Sequence, residues 1–151
     1  MKVKKTKTDN LVTERLLLIP FTIDICTNVL NSNYKDLEVL NLRKGKNWPD
    51  ADVLDTLPRI INNLNKVAFP TGYESWMIIK KDTLEVIGDL GFKGFNSKEE
   101  NIDLGYGIIK EERRKGYAEE AVNEIIKWAF SQAVQNHHKI SEISKNANEK
   151  G

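Results

Sequence analysis

The chain has one cysteine, Cys26, and only two histidines, the adjacent His137 and His138. A single thiol excludes an intrachain disulfide, and without a C-x-x-C pair or spaced histidines there is no ligand pattern for a metal. A reducing, cytosolic setting fits that cysteine usage. Charge of one sign is also lacking. The 23 Lys and Arg stand against 22 Asp and Glu, a net charge of +1, so no global field draws the protein to nucleic acid or to an anionic membrane. Any anion site is therefore local. The basic opening MKVKKTKTDN is followed by no long apolar run, which argues against a signal peptide and a membrane span. Lys2, Lys4, Lys5 and Lys7 read as a solvated tail, with residues 1–12 flexible.

What is present is one domain's worth of core: 40% hydrophobic residues in a chain of 151, read as a single domain over 1–151. RLLLIPF, Arg15 to Phe21, is short, apolar and closed by a proline, which suits a first strand. Irregular apolar positions from Thr22 to Leu42, interrupted by SNYKD, predict two short helices. After WPD, Val53, Leu54, Leu57, Ile60, Ile61, Leu64 and Val67 recur at three and four. They predict an amphipathic helix that Pro58 kinks or restarts and that Pro70 and Gly72 close.

The period then changes. SWMIIKK and LEVIGDLGFKGF alternate as strands about a tight turn at Lys81 to Thr83, and NSKEEN makes a second turn. In NIDLGYGII, Ile102, Leu104, Tyr106 and Ile108 share one face, while Asp103, Gly105, Gly107 and Ile109 share the other. That second face lacks bulk, which suits a bulge or a ligand lying close to the backbone. Tyr106 and Trp76 fall at core positions and read as packing. Ala118, Ala121, Val122, Ile125, Ile126, Ala129, Phe130 and Ala133 then mark a strong amphipathic helix.

Between that strand and that helix lies EERRKGYAEEAV, Glu111 to Val122. A helix N-terminus leaves about four N–H groups unpaired and carries roughly +0.5 of a charge. Arg113, Arg114 and Lys115 add formal charge, Gly116 removes a Cβ, and Ala118 keeps the next position small, so a diphosphate suits the turn. Solvated cations on an ordinary turn are the plainer reading of RRKG alone. Two phosphate motifs fail here: there is no G-x-x-x-x-G-K-[ST], and no G-x-G-x-x-G with a following acid.

Arg113, Gly116 and Ala118 match the [Q/R]-x-x-G-x-[G/A] signature of the GNAT acyltransferases. With TERLLLIPF, GDLGFKG, LGYGI and RRKGYAEEAV in that order, the chain resembles the branch that includes the ribosomal-protein N-terminal acetyltransferases RimJ and RimL, over roughly Thr13 to Phe130. The resemblance implies an α/β (α+β) fold, a mixed, mostly antiparallel sheet flanked by helices. It implies an acetyl-CoA-dependent N-acetyltransferase, needing no metal, that acts on a protein N-terminus or a small amine.

The residues carry over one by one. Backbone amides of Arg114, Lys115, Gly116, Tyr117 and Ala118, with Arg113 at the start, would hold the pyrophosphate, and Ile108 and Ile109 would hydrogen-bond the pantetheine arm. A bulge near Gly107 would open a V-shaped gap for the thioester. Attack requires a neutral amine, and a lysine (pKa about 10.4) costs roughly 3 kcal/mol more to deprotonate than an α-amine (about 8). Asp103 is the candidate base on the glycine-bearing face, where the family often has an acid. A plain surface carboxylate is the alternative, and Asp89 in IGDLGF is its rival.

Beyond Phe130 the family has a fifth strand, an Asn-containing turn, a short helix and a hairpin. SQAVQNHHKISEISKNANEKG offers Ile140 and Ile143 for a strand and Asn146 or Asn148 for the turn, with 136–151 the least defined region. The expectation is a fold shortened at its end or completed by a partner, hence a homodimer. An impaired acyl-CoA-binding protein, or a domain whose basic turn meets phosphate incidentally, are the alternatives to an enzyme.

Overall fold

The structure, a computed structural model, describes residues 9–96, 101–135, 140 and 142–147. The lysine tail, residues 97–100 of the NSKEEN turn, His137, His138, Lys139 and Asn148 lie outside the described residues.

The chain runs β1 (Leu11–Val12), β2 (Leu16–Pro20), α1 (Ile23–Leu30), α2 (Lys35–Val39), α3 (Ala51–Leu64), β3 (Ser75–Lys80), β4 (Val86–Asn96), β5 (Asn101–Ile108), α4 (Tyr117–Gln135) and β6 (Glu142–Ala147). All six strands form one sheet in sequence order. Every neighbouring pair is antiparallel except β5 and β6, which run parallel because α4 returns the chain across the sheet. This is the mixed, mostly antiparallel sheet that the family resemblance implies.

Local chemistry starts the helices where the sequence expects them. Thr22 Oγ1 accepts the Ile25 N–H at 3.1 Å ahead of α1, and Asp50 Oδ1 accepts the Val53 N–H at 2.9 Å ahead of α3. The helix does not restart at Pro58; α3 runs through it as one helix. Leu57, Ile60 and Leu64 are buried on both sides of Pro58 and hold the helix to the sheet, while Pro58 itself faces outward. The helix closes at Asn65, before Val67 and Pro70.

The strand register sorts the two faces of the sheet. Trp76, Leu90 and Tyr106 are paired across three strands, as are Phe92 and Leu104, and they face α4, where Trp128 packs against Trp76 and Phe92 at centroid distances of 5.5 and 6.2 Å. Trp76 is fully buried, as its position predicts. On the opposite face Met77, Asp89 and Gly107 form one row and Ser75, Gly91 and Gly105 the next. Three of these six positions, Gly91, Gly105 and Gly107, are glycine, so α3 sits over a floor with little side chain on it.

The expected bulge is displaced. From Gly88↔Ile108 to Phe92↔Leu104 the register is unbroken, so no bulge lies near Gly107; the irregularity falls between Phe92 and Gly94. β6 pairs with β5 from Asn101↔Glu142 to Tyr106↔Ala147, which gives Ile143 a place in a strand, and Asn146 lies within that strand rather than in a turn.

Candidate active site

After β5, Lys110–Glu112 make a single 3-10 turn, and α4 begins at Tyr117. Between them Arg114 and Gly116 take left-handed backbone, at φ of 64° and 82°. Such alternation turns successive N–H groups into one concavity, a nest for an anion. The first helical bond described there runs from the Glu120 N–H to the Gly116 carbonyl at 3.1 Å, so the N–H groups of Tyr117, Ala118 and Glu119 precede the helical ladder and are left for a ligand. A groove of about 850 Å³ opens at this point, lined by Tyr106, Ile108, Arg113, Arg114, Gly116, Tyr117, Ala118 and, from β6, Lys145 and Ala147. Its size suits a cofactor-sized molecule.

The cations divide their work. Arg113 Nε donates to the Ile108 carbonyl at 2.8 Å. Lys115 Nζ meets Glu112 at 2.9 Å, and Lys80 meets the same carboxylate at 3.4 Å. Burial pushes Glu112 up, but these two ammonium groups outweigh it and hold the carboxyl below its ordinary value. Arg114 lines the groove and is exposed. Lys115 is therefore a brace of the turn and is absent from the groove wall.

Ile108 and Ile109 separate as well. The Ile109 N–H donates to the Ile87 carbonyl at 2.9 Å and its carbonyl accepts from the Glu112 N–H at 2.9 Å, so both of its backbone groups already have protein partners. In an antiparallel ladder alternate residues point to opposite sides, which turns the Ile108 N–H away from β4, towards the groove. There the described ladder of β6 has ended at Ala147.

A contact that the sequence does not announce locks the turn. Arg15 Nη1 donates to the Lys115 carbonyl at 2.9 Å, Arg15 Nε meets Glu120 at 2.7 Å, and the guanidinium lies 4.4 Å from the Tyr117 ring centroid. The Thr13 hydroxyl donates to the same Glu120 carboxylate. Burial raises the Glu120 pKa, yet the hydrogen bonds from Thr13 and Arg15 bring it below its ordinary value. Because C=O and N–H of a trans peptide point in opposite directions, holding the Lys115 carbonyl on the Arg15 side directs the Gly116 N–H to the other. No spacing rule links residues 100 apart, so TERL alone gave no sign of this partner.

On the other face of the sheet, beneath α3, two smaller cavities meet at Asp89. One, about 20 Å³, is lined by Asp50, Asp52, Thr56, Asp89, Gly107, Ile108 and Arg113; the other, about 160 Å³, by Thr56, Arg59, Asn63, Ser75, Asp89, Gly91, Lys93 and Gly105. Ile108 and Arg113 also line the large groove. The shared lining residues Ile108 and Arg113 thus mark a track from the groove to the cavities that meet at Asp89. Asp89 is 7% exposed and makes no hydrogen bond or ion pair among the described residues. Burial pushes its carboxyl from 3.8 up to about 7, with the Asp50 charge adding to the rise and Arg59 opposing it. Cys26, close by, is a buried thiol raised to about 12, chiefly by burial, so it is an inert packing residue.

Asp103 does not join this track. It is exposed, lies in register with Gly94 and Ser144, and lines none of these three spaces. Five residues of strand separate it from Ile108, about 16 Å at the usual rise. On the same glycine-bearing face, the register puts Asp89 opposite Gly107, near Ile108.

The sequence model of the acetyltransferase (GNAT) domain matches residues 15–150. The chain belongs to the GNAT acetyltransferase family. Among relatives of this GNAT acetyltransferase is the uncharacterized N-acetyltransferase YjdG of Bacillus subtilis (strain 168), 32% identical over 121 residues that span 80% of this chain and 72% of YjdG. The uncharacterized N-acetyltransferase p20 of Bacillus licheniformis is 28% identical over 123 residues, 82% of this chain and 67% of p20. Solved structures share the fold: an acetyltransferase from Agrobacterium tumefaciens str. C58 (TM-score 0.53, 20% identity, 89% of this chain and 74% of that one) and the ribosomal-protein-S5-alanine acetyltransferase from Vibrio fischeri (0.50, 16%, 83% and 69%). Among the described residues, no helix of this acetyltransferase is long and apolar enough to cross a membrane, and no group of three or more His, Cys, Asp or Glu could hold a metal ion.

Proposed function

We propose that this GNAT acetyltransferase moves an acetyl group from acetyl-CoA to a primary amine, and that the amine is an α-amine, of a protein N-terminus or of a small molecule. The observation that carries this reading is the approach, at Ile108 and Arg113, of a backbone-built anion nest to a cavity floored by a buried carboxylate that is unpaired among the described residues. The N–H groups of Gly116, Tyr117 and Ala118 would take the pyrophosphate, with Arg114 adding charge and Arg113 and Lys115 bracing the turn. The Ile108 N–H would orient the arm that leads to the thioester. Acetyl-CoA supplies an activated acyl group and a thiolate leaving group.

Asp89, rather than Asp103, takes the role of base. Its carboxylate accepts a proton from the incoming ammonium, the freed amine attacks the thioester carbonyl, the C–S bond breaks, and the amide nitrogen loses its remaining extra proton to solvent. A base titrating at about 7 is matched more closely to an α-amine near 8 than to a lysine near 10.4. The ordered motifs shared with the RimJ and RimL branch support a protein N-terminus, and the lone buried Cys26 supports a cytoplasmic setting. Because β6 is the outermost strand of the sheet and Phe130 and Val134 are exposed on α4, a homodimer through that side belongs to the same reading.

A thermal shift with acetyl-CoA against ATP, followed by detection of free CoA during turnover, tests the reading. A shift selective for acetyl-CoA together with CoA release is expected. Binding without release would leave an acyl-CoA-binding protein, and no shift would remove the nest from the argument. Light scattering at tens of micromolar tests the dimer, with a monomer the outcome that rejects it.

A further inference from the structure

Beneath α3 the 160 Å³ cavity carries both signs of charge at different depths. Asp89 lies on its floor, buried to 7% exposure and unpaired among the described residues. Arg59 and Lys93 line the same space, both exposed and both without a hydrogen bond or ion pair among the described residues. On α3, Asp52, Thr56, Arg59 and Asn63 fall at i, i+4, i+7 and i+11, a polar stripe beside the buried stripe of Val53, Leu57, Ile60 and Leu64. An ordinary solvated helix face would point such a stripe into water. Here Thr56, Arg59 and Asn63 wall a cavity whose opposite side is Ser75, Gly91 and Gly105. Gly91 is fitted closely against Ser75, since a Cβ there would collide with the Ser75 side chain, so that wall is set by backbone.

A carboxylate this buried gains most from a cation brought to it, because the low local dielectric strengthens the pair and no protein cation already occupies the place. Two unpaired cations nearer solvent offer the complementary attraction to an anion. A ligand with an amine at one end and an anion a few bonds away satisfies both. We propose that this cavity seats the acceptor and that Arg59 and Lys93 select a primary amine carrying a nearby anionic group, a carboxylate above all. This rests on the acetyl transfer proposed above. The anion comes either from the carboxylate of a free α-amino acid or from an acidic side chain next to a peptide N-terminus. Thr56, Asn63 and Ser75 supply the hydroxyl and amide partners that such a polar ligand requires.

The test compares acceptors that differ in the anion alone: α-amino acids against their carboxamides, and tetrapeptides with Asp against Asn at the second residue. The value of kcat/KM for each is corrected for the fraction of neutral amine. A preference of about tenfold or more for the anionic member of a pair is expected, and it should fall several-fold in Arg59→Gln and in Lys93→Gln. Preference in the amino-acid pair assigns a small-molecule acceptor, and preference in the peptide pair assigns an N-terminus with an adjacent acid. Equal use of both members in every pair, or a preference that neither substitution alters, overturns the proposal. Calorimetric binding of the same compounds, with and without CoA, reads the cavity when turnover is absent; equal or undetectable binding of charged and neutral members then counts against it. Failure to bind acetyl-CoA in a separate titration would instead strike at the transfer reading, so the two failures are told apart.

Discussion

The groove at the head of α4 and the cavity under α3 sit on opposite sides of β5 and are made of different material. The groove is a backbone device: its donors are main-chain N–H groups arranged by left-handed residues at 114 and 116. The cavity is a side-chain device in which Asp89, Arg59, Lys93, Thr56 and Asn63 face one another over glycines. A backbone site tolerates many side chains provided the turn keeps its shape. A side-chain site changes identity with each substitution. Binding the shared co-substrate is thus separable from choosing and activating the acceptor.

Replacing Asp89 should expose that separation most sharply. Asp89→Asn should lower kcat/KM by about a hundredfold or more, the range for loss of a general base, while acetyl-CoA affinity stays within about twofold. The deficit should shrink as pH approaches the amine's own pKa. Stability should move the other way. With a carboxyl at about 7 in the folded state against its ordinary 3.8, the folded protein binds a proton between those values that the unfolded chain releases. Stability therefore declines as pH rises through that window and levels off above it. The ionised form costs up to about 4 kcal/mol, so the melting temperature of Asp89→Asn should rise more at pH 8 than at pH 5. Asp103→Asn should change kcat/KM by less than about twofold; a large loss there would return the base to Asp103.

Gly116→Glu attacks the groove alone. It forces a side chain into φ of 82°, sets a carboxylate against a diphosphate, and places a Cβ 3.3 Å from Arg15 Nη2. Acetyl-CoA affinity should fall more than about tenfold, or about 1.4 kcal/mol, by calorimetry. Arg114→Ala should cost less, because its charge is exposed and screened. Of the groove variants the smallest effect belongs to Arg15→Ala, which frees the Lys115 carbonyl and should weaken acetyl-CoA binding about threefold, with the kcat of saturated enzyme unchanged. If Arg15→Ala altered acceptor choice instead, the two regions would not be separable.

The same contrast explains what could be read from the sequence. RRKGYA with LGYGII ahead of it is contiguous, so the turn, the strand and the helix were legible from local pattern, as were the two faces of β5. That α3 runs on through Pro58 without a restart was not legible, because an inner face of Leu57, Ile60 and Leu64 outweighs one missing N–H. Asp103 and Asp89 are indistinguishable by alternation alone; only the register of β4 on β5, which sets Asp89 opposite Gly107, separates them. The Ile109 backbone was spent on partners at 87 and 112 that no motif names. Arg59 and Lys93 were invisible because a cavity wall is assembled from four separate segments.

Arg15 joins the opening of the described chain to a turn 100 residues later. A pairing so distant in sequence forms late, since the loop it closes must first surrender its entropy. During synthesis the nest therefore lacks its clamp until α4 has emerged and docked, and acetyl-CoA in the cell would be captured by finished molecules in preference to nascent ones. On the proposed reading, the co-substrate would add stability by mass action to the chains in which Arg15 has reached the Lys115 turn.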